Sequence, residues 1–87
     1  MREDSKITGA QSAAKVLSLL RQVGIHHPQG IRLTQLIEAT GQDRSTAHRL
    51  LACLIEEGFV ERAHPTKLYR LGLEAMQLGL VSAGMAP

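Results

Sequence analysis

The chain has 87 residues, 44% of them apolar, with one Phe, one Tyr and no Trp. That length makes one small domain with a single core and no room for a spacious active-site cleft, and a core built from Leu, Ile, Val and Ala favours helices over a sandwich. The net charge of +2 and the pI near 9.1 suit a polyanionic partner without identifying one, because the placement of the charges decides.

The single Cys53 excludes an internal disulfide framework and fits a reducing cytoplasm. No apolar run approaches the ~20 residues of a membrane span. The mixed-charge start, Met1 to Lys6, lacks the apolar block of a secretory signal. The expected location is the cytoplasm, with no membrane contact.

Residues 1–10 are polar and aperiodic, which reads as a disordered tail. From Gln11 the pattern changes: Ala13, Val16, Leu17, Leu20 and Val23 share one helical face, Ser12 is placed to cap it and Gly24 to stop it. The first helix is therefore expected over 12–23. The loop from Ile25 to Gly30 contains Pro28, and Ile31-Arg32-Leu33 has the alternation of a very short strand. Thr34 can cap a second helix whose Leu33, Leu36 and Ile37 face inward and which Gly41 ends. At about seven residues that helix depends on packing.

The third helix opens at Asp43, whose carboxylate suits a cap or a first turn. Ala47, Leu50, Leu51 and Leu54 mark its buried stripe, Arg44, Ser45, His48 and Arg49 point outward, and Gly58 stops it. Two short helices about a glycine turn form a helix-turn-helix, here over 33–52. Two short extended runs follow, Phe59–Ala63 and Leu68–Leu71, joined by His64-Pro65-Thr66-Lys67. A hairpin after a helix-turn-helix is a wing. Leu73, Met76 and Leu80 then mark a last amphipathic helix, and Val81 to Pro87 is expected to fray.

The fold class is thus mainly α with a small β-hairpin: a winged helix-turn-helix with a three-helix core, a two-stranded wing and a C-terminal linker helix. Its expected parts are the tail 1–10, the winged domain 11–72 with its wing at 59–71, and the linker helix with its frayed end at 73–87.

The outward side chains of the third helix have the chemistry of a major-groove reader. Arg44 and Arg49 can bond guanine edges bidentately or pair with phosphates, and Ser45, Thr46 and His48 can do either more weakly. On the wing, Arg62, His64, Lys67 and Arg70 offer phosphate or minor-groove contacts, with Arg62 and Lys67 the preferred pair and Arg70 expected close to Arg62. Arg32 and the Thr34–Gln35 helix start can take a backbone phosphate.

Catalysis and metal binding lack comparable patterns. His26 and His27 are adjacent rather than one helical turn apart, and Cys53 lies amid apolar residues as a core or near-core thiol. There is no Gly-rich phosphate loop and no recognisable Ser/His/Asp set, and the adjacent Glu56 and Glu57 face different sides of their helix. The reading is a non-enzyme without cofactor or metal. A protein-interaction module is the main rival, since winged helices also serve as adaptors. A metal- or redox-sensing repressor is a third, which needs Cys53 to be accessible.

Gln11 to Leu20 resembles the first helix of the IclR family of bacterial transcriptional regulators, and Gly41 to Leu51 carries the family's Ser-Thr-x-x-Arg-Leu-Leu pattern at Ser45, Thr46, Arg49, Leu50 and Leu51. Glu57-Gly58-Phe59-Val60 and Tyr69-Arg70-Leu71-Gly72 extend the resemblance across roughly residues 11–80. It implies a winged helix-turn-helix that binds double-stranded, palindrome-like operator DNA as a homodimer. A linker helix then leads to a C-terminal domain that senses a small-molecule effector. That domain is absent from this chain, which is expected to be either a DNA-binding fragment, the favoured case, or an unusually short member. Three positions depart from the family pattern: Lys15 for the usual Arg, Gln42 for an apolar residue, and Asp43 for Pro or Ser. The first helix and the linker helix are the expected dimer surfaces, with Leu19, Leu78 and Val81 as apolar residues off the intradomain stripe.

Overall fold

The computed structural model describes residues 8–85. In chain order they form α1 (Thr8–Ile25), α2 (Leu33–Thr40), α3 (Arg44–Glu56), β1 (Val60–Arg62), β2 (Tyr69–Leu71) and α4 (Leu73–Ser82). Helices α1, α2 and α3 pack together, and the β1–β2 hairpin closes the open side of the bundle.

Helix α1 is longer than its apolar stripe predicts. It begins at Thr8, so Ser12 is an interior residue rather than a cap, and it runs through Gly24 to Ile25. Alanines at 10, 13 and 14 favour helix without needing burial. Of the expected tail, residues 1–7 lie outside the described residues and 8–10 are helical. The buried face is also turned from the expected one. Leu19 and Val23 are fully buried and Val16 and Leu20 pack against them, whereas Ala13 is exposed and Leu17 is 50% exposed. Leu19 is therefore core and not a free dimer surface. Both stripes fit a 3.6-residue period in so leucine-rich a run, and only the neighbours choose between them.

Arg32, in extended conformation, precedes α2, and its backbone N–H donates to Oε1 of Gln35 at 2.9 Å. Thr34 lies inside the first turn and does not cap the helix. At the other end Gly41 takes a left-handed conformation (φ 72°) and donates its N–H to the Ile37 carbonyl. Helix α3 then starts on Asp43, which accepts from the Thr46 N–H, and buries Ala47, Leu50, Leu51 and Leu54 as predicted. Gly58, also left-handed, turns the chain into the hairpin.

The hairpin is antiparallel, with Val60 opposite Leu71, Glu61 opposite Arg70 and Arg62 opposite Tyr69. The expected strand at 31–33 shrinks to Ile31, whose N–H and carbonyl both bond Tyr69. Leu33 is already helical. Ile31, Leu36, Val60 and Tyr69 complete the core around Leu19, Val23 and the α3 stripe. Gly72 sits against the backbone of Gly58 so closely that a Cβ there would overlap the Gly58 carbonyl oxygen.

Helix α4 continues to Ser82, past the predicted end, with a turn at 83–84; Ala86 and Pro87 lie outside the described residues. It is not the packed amphipathic helix its sequence suggests. None of its residues is buried, and Leu73, Met76, Leu78, Leu80 and Val81 are all exposed. Its first turn touches the body through Glu74, which lies on Gly58. Among the described residues no helix is long and apolar enough to cross a membrane.

Candidate nucleic-acid interface

The four buried residues of α3 fix which way every other side chain on it points, because each residue turns the helix by about 100°. Opposite the Ala47–Leu50–Leu51–Leu54 stripe lie Ser45, Arg49 and Ala52, all exposed. Arg44 and His48 stand on one flank, where they and Ser45 line a groove with Leu33 of α2 and Arg62 of β1. Thr46 and Cys53 stand on the other flank. There Cys53 borders an apolar groove with Val16, Leu17 and Leu20 of α1.

Asp43 organises the start of this helix. Its Oδ2 accepts the Ser45 hydroxyl at 2.9 Å and the Thr46 N–H at 3.2 Å. Hydrogen bonds from the Thr46 side chain first, then the Ser45 side chain and the Thr46 backbone, hold its carboxyl down at about 2 from the ordinary 3.8. The Ser45 hydroxyl predicted to contact a partner is thus engaged with the cap. Ser45 stays exposed while Thr46 is half-buried. Gln42, in the turn, donates its side-chain amide to the Lys15 carbonyl of α1 at 3.1 Å. Two positions that depart from the family pattern are therefore joined to each other.

Of the wing residues, Arg62 joins the α3 group and Lys67 does not. Arg62 closes β1 with its guanidinium carbon 5.2 Å from the centre of the Tyr69 ring, whereas Lys67 lies exposed in the connection with a left-handed backbone (φ 65°). Arg70 was expected beside Arg62, but the register puts it on the other face of the hairpin. There its Nη2 meets Oε2 of Glu61 at 2.7 Å. At the α2 start, Arg32, Thr34 and Gln35 are all exposed, with the Gln35 side chain engaged by the Arg32 N–H. Cys53 is an exposed free thiol rather than a core residue. Among the described residues no three metal-ligating side chains cluster.

The sequence reading missed Tyr69 as a support for Arg62 and Leu33 as part of the groove. Alternation along the strands could have paired Arg62 with an aromatic residue. The register that does so depends on how the 63–68 connection folds, and no residue in it dictates that.

The chain matches the model of the IclR helix-turn-helix domain over residues 12–64. It is 37% identical over 73 residues to the HTH-type transcriptional regulator TtgV of Pseudomonas putida, covering 84% of this chain and 28% of that protein. Over 78 residues it is 33% identical to the DNA-binding transcriptional repressor YiaJ of Escherichia coli, covering 90% of this chain and 27% of the relative. The crystal structure of Pseudomonas aeruginosa HmgR superposes with a TM-score of 0.79 at 31% identity, over 88% of this chain and 31% of that one. The chain spans under a third of the length of the curated relatives it matches. On the matched domain and the shared winged architecture, this chain belongs to the IclR family and carries its helix-turn-helix DNA-binding domain.

Proposed function

We propose that the winged unit 11–72 reads a palindrome-like operator as one half of a homodimer, with α3 in the major groove and the wing against the backbone. The observation that carries this is the exposed face of α3. Ser45 and Arg49 stand opposite the core, and Arg44, His48 and Arg62 gather beside them, with no carboxylate among the described residues that line that groove. Arg49 and Ser45 are the candidates for base edges. Lys67, Arg32, Thr34 and Gln35 are candidates for phosphate contacts at the periphery. Two such helices on one dimer would meet sites one turn, ~34 Å, apart or a multiple of it.

The dimer surface proposed is α4 with the exposed part of α1. Leu78 and Val81 are exposed here, and Leu17 replaces Leu19 as the apolar residue that α1 presents. A small-molecule effector is assigned to a part of the regulator other than this unit, whose interior is filled by Leu19, Leu36 and Leu51.

Fluorescence anisotropy with a duplex selected from random sequence, at two salt concentrations, tests the reading. Neutralising Z phosphates gives a slope of log K against log salt of about −0.9Z. The reading expects saturable binding with a steep slope, whereas an adaptor module would give no binding or no slope.

A further inference from the structure

We infer that Arg44, His48 and Arg62 form one seat for a single phosphodiester of the DNA backbone, with Tyr69 as the residue that positions Arg62. This rests on the DNA-reading face proposed above and divides it into two parts. The three side chains come from two elements, α3 and β1, and line one groove together with Ser45 and Leu33. A base edge is flat and is read by side chains lying along one helix; two guanidinium groups from two elements, with an imidazole beside them, suit a compact anion. The turn of α3 points the same way. Arg44 and His48 are displaced from the outward centre of the helix toward the wing, whereas Ser45 and Arg49 occupy that centre.

Arg62 is prepared for this task in a way that Arg70 is not. Arg70 is committed to Glu61 at 2.7 Å. Among the described residues Arg62 has no carboxylate partner; its buried Nε, like that of Arg70, has no hydrogen-bond partner. Its guanidinium lies instead over the Tyr69 ring, and Tyr69 is immobilised by its burial and by two backbone bonds to Ile31. An arginine held on an aromatic face keeps its charge and its remaining donors while losing little further freedom on binding.

The test uses the duplex selected by the wild-type chain, with a neutral methylphosphonate placed at each backbone position in turn. One position should cost the wild type roughly tenfold in affinity, the scale of a lost charge-assisted contact. In Arg62→Ala that same position should cost clearly less than in the wild type, with Arg44 and His48 left to hold it, the salt slope should fall by about 1, and the selected base sequence should be unchanged. Tyr69→Phe, which keeps the ring, should retain the coupling. Tyr69→Leu, with its fold checked by circular dichroism, should lose much of it. Should Tyr69→Leu fail to fold, Arg62→Lys replaces it, since it keeps the charge without the stacked fork and should show the same loss. Equal methylphosphonate effects in wild type and Arg62→Ala at every position would overturn the seat, as would an altered base preference. Coupling that survives in the folded Tyr69→Leu variant, or in Arg62→Lys where that is the variant measured, would overturn the role of Tyr69. Failure of the wild type to select any duplex would instead sink the DNA-reading face itself.

Discussion

The Asp43 carboxylate accepts the Thr46 backbone N–H at 3.2 Å, so the helix that carries the candidate contacts is capped by a residue from the turn before it. The bond satisfies one of the orphan donors at the helix start, and the carboxylate also faces the positive end of the helix dipole.

This cap makes stability depend on acidity in a defined window. The folded carboxyl titrates at about 2 against 3.8 unperturbed, so a depressed value stabilises the fold above the unfolded pKa, and that contribution is lost as pH falls from 3.8 through 2. Asn also caps but does not titrate. In thermal melts, the advantage of wild type over Asp43→Asn should therefore shrink as pH falls through that window and vanish near its lower end. An advantage independent of pH would mean that the cap is not charged.

Neighbouring leucines of α1 should respond very differently to truncation. Leu19 is fully buried and Leu17 is half exposed. Leu19→Ala should cost about 2–5 kcal/mol in chemical denaturation, and Leu17→Ala within about 0.5 kcal/mol on the isolated monomer. Reversed costs would show that the helix is rotated the other way.

Two glycines separate conformational strain from lack of space. Gly41 is left-handed with nothing near its would-be Cβ, so Gly41→Ala should cost about 1 kcal/mol from backbone strain. Gly72 has ordinary dihedrals, but a Cβ there would meet the Gly58 carbonyl and the Val60 nitrogen, so Gly72→Ala should cost about 1–3 kcal/mol as the hairpin shifts. Urea melts of both variants measure this, and a neutral Gly72→Ala would contradict the close approach.

Cys53 should react with a thiol reagent in the folded protein at a rate close to that in denaturant, since it is exposed on α3. Strong protection in the native state would return it to the core or place it beneath a partner.

The α3 stripe, the Gly41 turn and the hairpin were legible because each has a local cause: a period of 3.6, a left-handed glycine, a run of alternating residues. What the sequence left open depends on neighbours. The α1 run offers two equally apolar faces, and Leu19 is buried because α2 and α3 lie on its side. The α4 spacing is apolar enough to predict burial, but after Gly72 the helix leaves the body and finds no face to cover. The grouping of Arg62 with Arg44 and His48, and the pairing of Arg70 with Glu61, follow from hairpin register. Register is set by the turn as well as by the apolar pattern of the strands.

Arg49 tests the central claim most directly, because it stands opposite the core on the helix assigned to the major groove. Sites selected from random duplexes by wild type and by Arg49→Ala should differ at one or two base positions, with a loss of about 1–3 kcal/mol on the wild-type site and an unchanged circular dichroism spectrum. Identical selected sequences and equal affinities would contradict the assignment of α3 as the reading helix.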